Sequence, residues 1–183
     1  MTESRSGRSS DSRSDRPVES PPNPLADPEF VAGLRPVPSG LGDGPPTWSA
    51  SDLTGVHPDG SPVQVVLAGR TRPVLLVFLT TDCDGCDQFW AGLADPPVGV
   101  DTVIVTKGPD AASVAGVAAR AERVPGLPVV MSDAAWSDYR VTGYPFLVLV
   151  NPAERAILGE SVAFWWSDID VLVGSAGGRP GRD

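Results

Sequence analysis

From Trp48 onward, short apolar blocks alternate with turn residues. The stretch 51–67, SDLTGVHPDGSPVQVVL, sets the turn signal HPDG between two extended pieces and predicts a β-hairpin. The stretch 72–81, RPVLLVFLTT, carries a continuous apolar run, the pattern of a central strand buried on both faces. In 83–95, CDGCDQFWAGLAD, Phe89, Trp90 and Leu93 fall on one side of a predicted helix. Strands are predicted at 101–107, 127–133 and 144–151, interleaved with an alanine-rich helix at 110–124 and a short helix in AAWSDYRV, 134–141. The chain then turns within 151–162 to return as a strand, and 167–176 closes as a helix.

This order places the chain in the α/β class, with a central mixed β-sheet flanked by helices and preceded by a β-hairpin. The last two predicted strands are joined by a short turn and should run antiparallel. Residues 1–46 are rich in Ser, Arg, Pro and Gly. Such a segment buries too little apolar surface to offset its ordering entropy, so it is expected to be a disordered tail. Within it, EFVAGL at 29–34 could dock on a partner or on the domain. Residues 47–176 are expected to form one folded domain, and 177–183 a second tail.

Charge narrows the partners. The 183 residues carry a formal net charge of -9, and Lys107 is the single lysine. Nucleic-acid backbones and anionic membranes would repel such a chain. The longest apolar run, PVLLVFL at 73–79, is far below the roughly 18 residues of a spanning helix. The opening residues, MTESRSGRSSDSRSDRP, lack the apolar core of a secretory signal, so a cytoplasmic location is expected. A start site further upstream would allow export and membrane anchoring instead. In the cytosol a CxxC pair points to redox chemistry or metal binding more than to a structural disulfide.

Both cysteines lie in TTDCDGCDQFW, residues 80–90. Cys83 falls at the first turn of the predicted helix, near unpaired backbone N–H groups and the positive end of the helix dipole. That position favours a thiolate. Cys86, one turn on, lies on the same face and can reach its sulfur, as an attacking and a resolving thiol require. Asp82 and Asp84 act in the opposite sense, since nearby negative charge disfavours a thiolate. They are expected to tune the thiol acidity and make the couple more reducing. As a metal site the pair supplies two ligands where zinc takes four, although a two-cysteine site for a soft ion such as Cu(I) is an alternative. His57, the single histidine, is expected to be a solvated residue of the HPDG turn. No cofactor and no metal are expected.

Four segments, in this order, resemble the thioredoxin-like superfamily, and within it TlpA-type and peroxiredoxin-like proteins. DLTGVHPDGSPVQVVLAGR is similar to the leading hairpin, and RPVLLVFLTTDCDGC to the central strand entering a CxxC. VVMSDAAWSDYRVTGYPF is similar to the strand, short helix and turn that end in a cis-proline, and LVLVNPAERAI to the final hairpin. The resemblance covers roughly 48–175. It implies a thiol–disulfide oxidoreductase in which Cys83 is exposed and attacks while Cys86 is more buried and resolves. It also implies that Pro145 is cis and lies against the CxxC, leaving the backbone of Tyr144 free to pair with an extended substrate segment. A protein disulfide or a low-molecular-weight thiol would be the substrate, an upstream dithiol the reductant, and the protein a monomer.

The sequence departs from that pattern in three places. Asp82 stands where many active relatives carry Trp, Asp84 and Gly85 separate the cysteines, and the strand VLLVFL brings no buried carboxylate. A non-enzymatic interaction module is therefore an alternative. A peroxidase is a lesser one: Thr80 has the right spacing to Cys83, but Leu76 occupies the place of an expected proline and no arginine adjoins the motif in sequence. Trp90 is expected in the core, and at least one of Trp165 and Trp166 on the sheet.

Overall fold

The computed structural model describes residues 48–177. The expected tail 1–46, with EFVAGL, lies outside the described residues, as do residues 178–183 of the expected tail 177–183, whereas Gly177 ends the last helix. Among the described residues, seven strands form one mixed sheet: β1 (Leu53–Val56), β2 (Pro62–Val65), β3 (Val74–Phe78), β4 (Asp101–Thr106), β5 (Val129–Met131), β6 (Phe146–Asn151) and β7 (Ala156–Val162). Their spatial order is β2-β1-β5-β4-β3-β6-β7. β3, β4 and β5 run parallel, while β6 pairs antiparallel with β3 and with β7. The leading hairpin extends the sheet, since β1 pairs with β5 through Val56 and Met131.

Among the described residues, four helices cover the sheet: α1 (Asp84–Gly92), α2 (Val114–Ala121), α3 (Asp133–Asp138) and α4 (Ser167–Gly177). Every residue of β3 is buried, which is why its sequence is a solid apolar run with no alternation. Its side chains divide between two cores. Val74, Leu76 and Phe78 meet Trp136 and Tyr139 on one face. Leu75, Val77 and Leu79 meet Phe89, Trp90, Val117 and Ile169 on the other. α1, α2 and α4 thus share one face, and α3 covers the opposite one.

Several elements are shorter than their sequence patterns suggest, for local reasons. α2 begins after Ser113, whose Oγ accepts the Gly116 N–H at 3.1 Å. That cap turns Asp110–Ala112 into a lead-in and not a first helical turn. β5 ends where Ser132 caps α3 by accepting from Ala135 N at 3.1 Å. β6 starts after Pro145, which has no N–H to give a ladder. Trp166 packs on the sheet side against Phe89, with ring centroids 6.0 Å apart, whereas Trp165 stays outside. His57 is not fully solvated: its Nδ1–H donates to the Val129 carbonyl at 3.0 Å, tying the hairpin turn to the start of β5.

Candidate redox site

β3 delivers the chain to the carboxyl end of the sheet, where residues 79–83 turn into α1. Cys83 is the N-cap, with extended backbone at φ -123°, and its carbonyl accepts the Cys86 N–H at 2.9 Å. Cys83 is half-buried and Cys86 fully buried, and both are free thiols. Burial has a direct electrostatic consequence. Desolvation is the largest of the causes that push the Cys86 thiol up to about 12, and the neighbouring Cys83 sulfur adds to it. Hydrogen bonds from the Thr80 backbone and hydroxyl act the other way.

Thr80 is therefore the polar partner of the inner thiol. It is buried, its Oγ1 lies 3.8 Å from Cys86 Sγ, and its carbonyl accepts the Trp90 indole N–H at 3.3 Å. The buried polar side chains among the described residues are Thr80, Thr102, Thr106 and Ser132. No carboxylate is among them. Among the described residues, no fully buried carboxylate stands in for the one that VLLVFL lacks.

Pro145 reaches the same place from β6. The Tyr144–Pro145 peptide is cis. A Cβ added at Gly85 would stand 3.6 Å from Cys83 Sγ and 3.7 Å from Pro145 Cδ, so the bare glycine lies between the outer thiol and the proline ring. Tyr144 is 47% exposed, and its ring meets Trp136 edge-on at 5.8 Å. Lys107 Nζ sits 4.4 Å above that same Trp136 ring. Asp82 and Asp84 are both exposed on either side of Cys83.

The fold sets Cys83 and Pro145 on either side of Gly85, with Cys86 one turn along α1 and Tyr144 joined to the proline by the cis peptide. It leaves His57 on the hairpin, away from the thiols. It also adds residues that the motif gave no reason to suspect. Arg120 of α2 donates to the Thr81 carbonyl at 2.7 Å and pairs with Asp87 at 3.0 Å, clasping the loop before Cys83 to α1. Gln88 Nε2 donates to Phe164 O at 2.9 Å and to Gly85 O at 3.4 Å. The Arg120–Thr81 and Gln88–Phe164 bonds span 39 and 76 positions, beyond any local pattern. Among the described residues, no group of three or more His, Cys, Asp or Glu side chains could hold a metal ion. No described helix is long and apolar enough to cross a membrane.

No protein-family model and no curated protein matches the chain. Solved structures do. A secreted Mycobacterium tuberculosis disulfide oxidoreductase homologous to Escherichia coli DsbE aligns with a TM-score of 0.51 at 18% identity, over 68% of this chain and 94% of that one. The exposed lipoprotein thioredoxin Etrx1 of Streptococcus pneumoniae aligns with a TM-score of 0.51 at 17% identity, over 68% and 99%. StoA of Bacillus subtilis gives 0.51 at 16%, over 67% and 96%. These are likenesses of fold, and the fold they share with this chain is thioredoxin-like.

Proposed function

We propose that residues 47–176 form a thiol–disulfide oxidoreductase that reduces disulfides in polypeptides. One observation carries the reading: a half-exposed thiol at a helix N-cap, a fully buried thiol one turn on, and a proline packed over the glycine between them.

The chemistry follows from the positions. The Cys83 thiolate attacks one sulfur of a substrate disulfide, that S–S bond breaks, and a Cys83–substrate mixed disulfide forms. The first substrate sulfur leaves as a thiolate. Cys83 is then uncharged, which removes its share of what holds the Cys86 proton on. The two Thr80 donors remain to stabilise the Cys86 thiolate as it forms. Cys86 attacks Cys83 Sγ, the second substrate sulfur departs, and the proton from Cys86 ends on one of the two leaving sulfurs. Two electrons pass from the protein to the substrate, and an external dithiol must return them. The backbone at Tyr144 and Pro145 is placed to hold an extended substrate segment beside Cys83, and Asp82 and Asp84 set the local charge.

The test is insulin reduction in the presence of dithiothreitol. Turnover by the wild type and its loss in Cys83→Ser supports the enzyme. Cys86→Ser should attack but stall as a trapped mixed disulfide. A wild type that leaves insulin intact argues for an interaction module instead, and consumption of hydrogen peroxide without insulin reduction argues for a peroxidase.

A further inference from the structure

The run Ala163-Phe164-Trp165-Trp166 is split between inside and outside. Ala163 is buried, and Trp166 packs against Phe89 and over Gly92, where an added Cβ would come within 2.5 Å of the indole. Phe164 and Trp165 are 70% and 69% exposed. Single exposed apolar residues are ordinary, but Phe164 and Trp165 are adjacent and follow the exposed Val162, and contiguous apolar surface of this kind marks interaction sites. Asp168 Oδ2 accepts the N–H of both, at 2.7 and 3.0 Å. Ala163 N donates to the Pro145 carbonyl at 2.9 Å, and Gln88 links Phe164 O to Gly85 O. The exposed pair is thus tied by hydrogen bonds to the proline and the glycine that flank Cys83. Val162, 41% exposed, continues the apolar surface toward Gly143, where a Cβ would lie 3.3 Å from its methyl group.

Charge completes the picture. Asp82 and Asp84 are exposed beside Cys83. The ion pairs among the described residues engage Asp52, Asp87 and Asp101 and leave these two carboxylates open to a ligand.

We infer that Phe164 and Trp165 are specificity-determining residues that dock an apolar side chain of a disulfide-bearing polypeptide, while Asp82 and Asp84 favour a basic side chain near the same cysteine. The proposal rests on the thiol–disulfide reading above and narrows its substrate to apolar, cationic segments of the kind exposed by unfolded chains. A bilayer is a poorer occupant, because the two carboxylates and the net charge of -9 would face its anionic headgroups.

The experiment compares reduction of three short disulfide-linked peptides with Phe and Lys, Ser and Lys, or Phe and Glu next to the cysteine. 2-Hydroxyethyl disulfide serves as the neutral small substrate. In the wild type, kcat/KM for the Phe–Lys peptide should exceed that for each of the other two at least tenfold. In Phe164→Ser/Trp165→Ser the Phe-over-Ser preference should fall to within about twofold of unity, through a rise in KM. A ratio of two peptides on one preparation is independent of how much protein is folded, and Trp165→Ser alone gives an intermediate ratio. Equal wild-type rates on the Phe–Lys and Ser–Lys peptides, or a preference unchanged in the double variant, overturn the docking role while leaving the redox reading in place. No reduction of 2-hydroxyethyl disulfide overturns the redox reading itself. A dimer or a vesicle-bound form that depends on the aromatic pair, seen by sedimentation or by flotation with phosphatidylcholine vesicles, assigns the surface elsewhere and also overturns the proposal.

Discussion

The Thr80 hydroxyl lies 3.8 Å from Cys86 Sγ with both residues buried. In that setting the thiol has no water to accept its proton or to solvate the anion left behind. Either group can donate across this contact while Cys86 is a thiol, and the Thr80 hydroxyl is the donor once Cys86 is a thiolate; the Trp90 indole N–H binds the Thr80 carbonyl at 3.3 Å.

Removing only that hydroxyl, in Thr80→Val, should slow resolution of the mixed disulfide. A hydrogen bond to a charged group contributes about 1.5 kcal/mol or more, so the step should slow roughly tenfold. Attack by Cys83 should change less, and Thr80→Ser should restore most of the loss. Quenched-flow trapping of the Cys83–peptide adduct, followed by mass analysis, reads both steps. An adduct that decays at the wild-type rate in Thr80→Val means that the hydroxyl is packing and nothing more.

Most of the fold was legible because its signals are local. The apolar run of β3, the helix face at Phe89, Trp90 and Leu93, and the turn before β6 each lie within one short window. The spacing of the thiol pair is local too, whereas a cis Pro145 against it was expected only from the resemblance. Thr80 was visible as a residue but not as a partner, since nothing in TTDCDGC says that the hydroxyl turns toward the second cysteine. Arg120 and Phe164 were invisible as site residues: their contacts depend on how α2 and the end of β7 pack against α1. Trp165 and Trp166 show the limit most plainly, because two identical neighbours take opposite sides of the surface.

The Cys86 thiol, raised by burial to about 12, makes stability depend on redox state at alkaline pH. A group whose folded pKa is raised contributes fully below its unfolded value, near 9, and that contribution fades as pH rises toward 12. The reduced protein should therefore lose stability between about pH 9 and 12, with a limiting slope of about 1.4 kcal/mol per pH unit for one proton. The disulfide form, which has no proton to lose there, should fall less steeply. Tyr139, whose hydroxyl is also pushed up by burial, titrates in both forms and cancels in the comparison. Urea unfolding of both forms at several pH values checks this. Parallel curves would mean that Cys86 is solvated.

Arg120 should matter more than its ion pair alone suggests. Arg120→Ala removes both the 2.7 Å bond to Thr81 O and the 3.0 Å pair with Asp87, whereas Asp87→Asn removes mainly the second. An exposed ion pair is worth about 0–1 kcal/mol, while a charged donor to a part-buried carbonyl adds roughly 1.5. The expected costs are about 2 kcal/mol for Arg120→Ala and below about 1 for Asp87→Asn. Arg120→Ala should also broaden the kinetics of Cys83 alkylation, because the loop that leads into the thiol loses its clasp. Equal destabilisation by the two variants would place the effect in the ion pair instead.

Asp84, the first residue of α1 and exposed, should discriminate among incoming thiols by charge. Reduction of the oxidised protein begins when an external thiolate approaches the disulfide. Glutathione carries a net negative charge and 2-mercaptoethanol carries none besides its thiolate, so a carboxylate one residue from Cys83 should slow the first more than the second. Two unit charges about 4 Å apart in water interact by about 1 kcal/mol, which bounds the effect at about fivefold for one charge. Asp84→Asn should therefore raise the glutathione rate relative to 2-mercaptoethanol by up to about fivefold, and Asp84→Lys by more, because it replaces repulsion with attraction. The advantage should shrink as salt is raised toward 1 M, where the screening length falls to roughly 3 Å. Stopped-flow measurement of both thiols against wild type and both variants, at low and high salt, gives the ratio directly. A ratio indifferent to the charge at position 84 would mean that the Asp84 carboxylate faces away from the path of approach, leaving Asp82 as the residue to vary next.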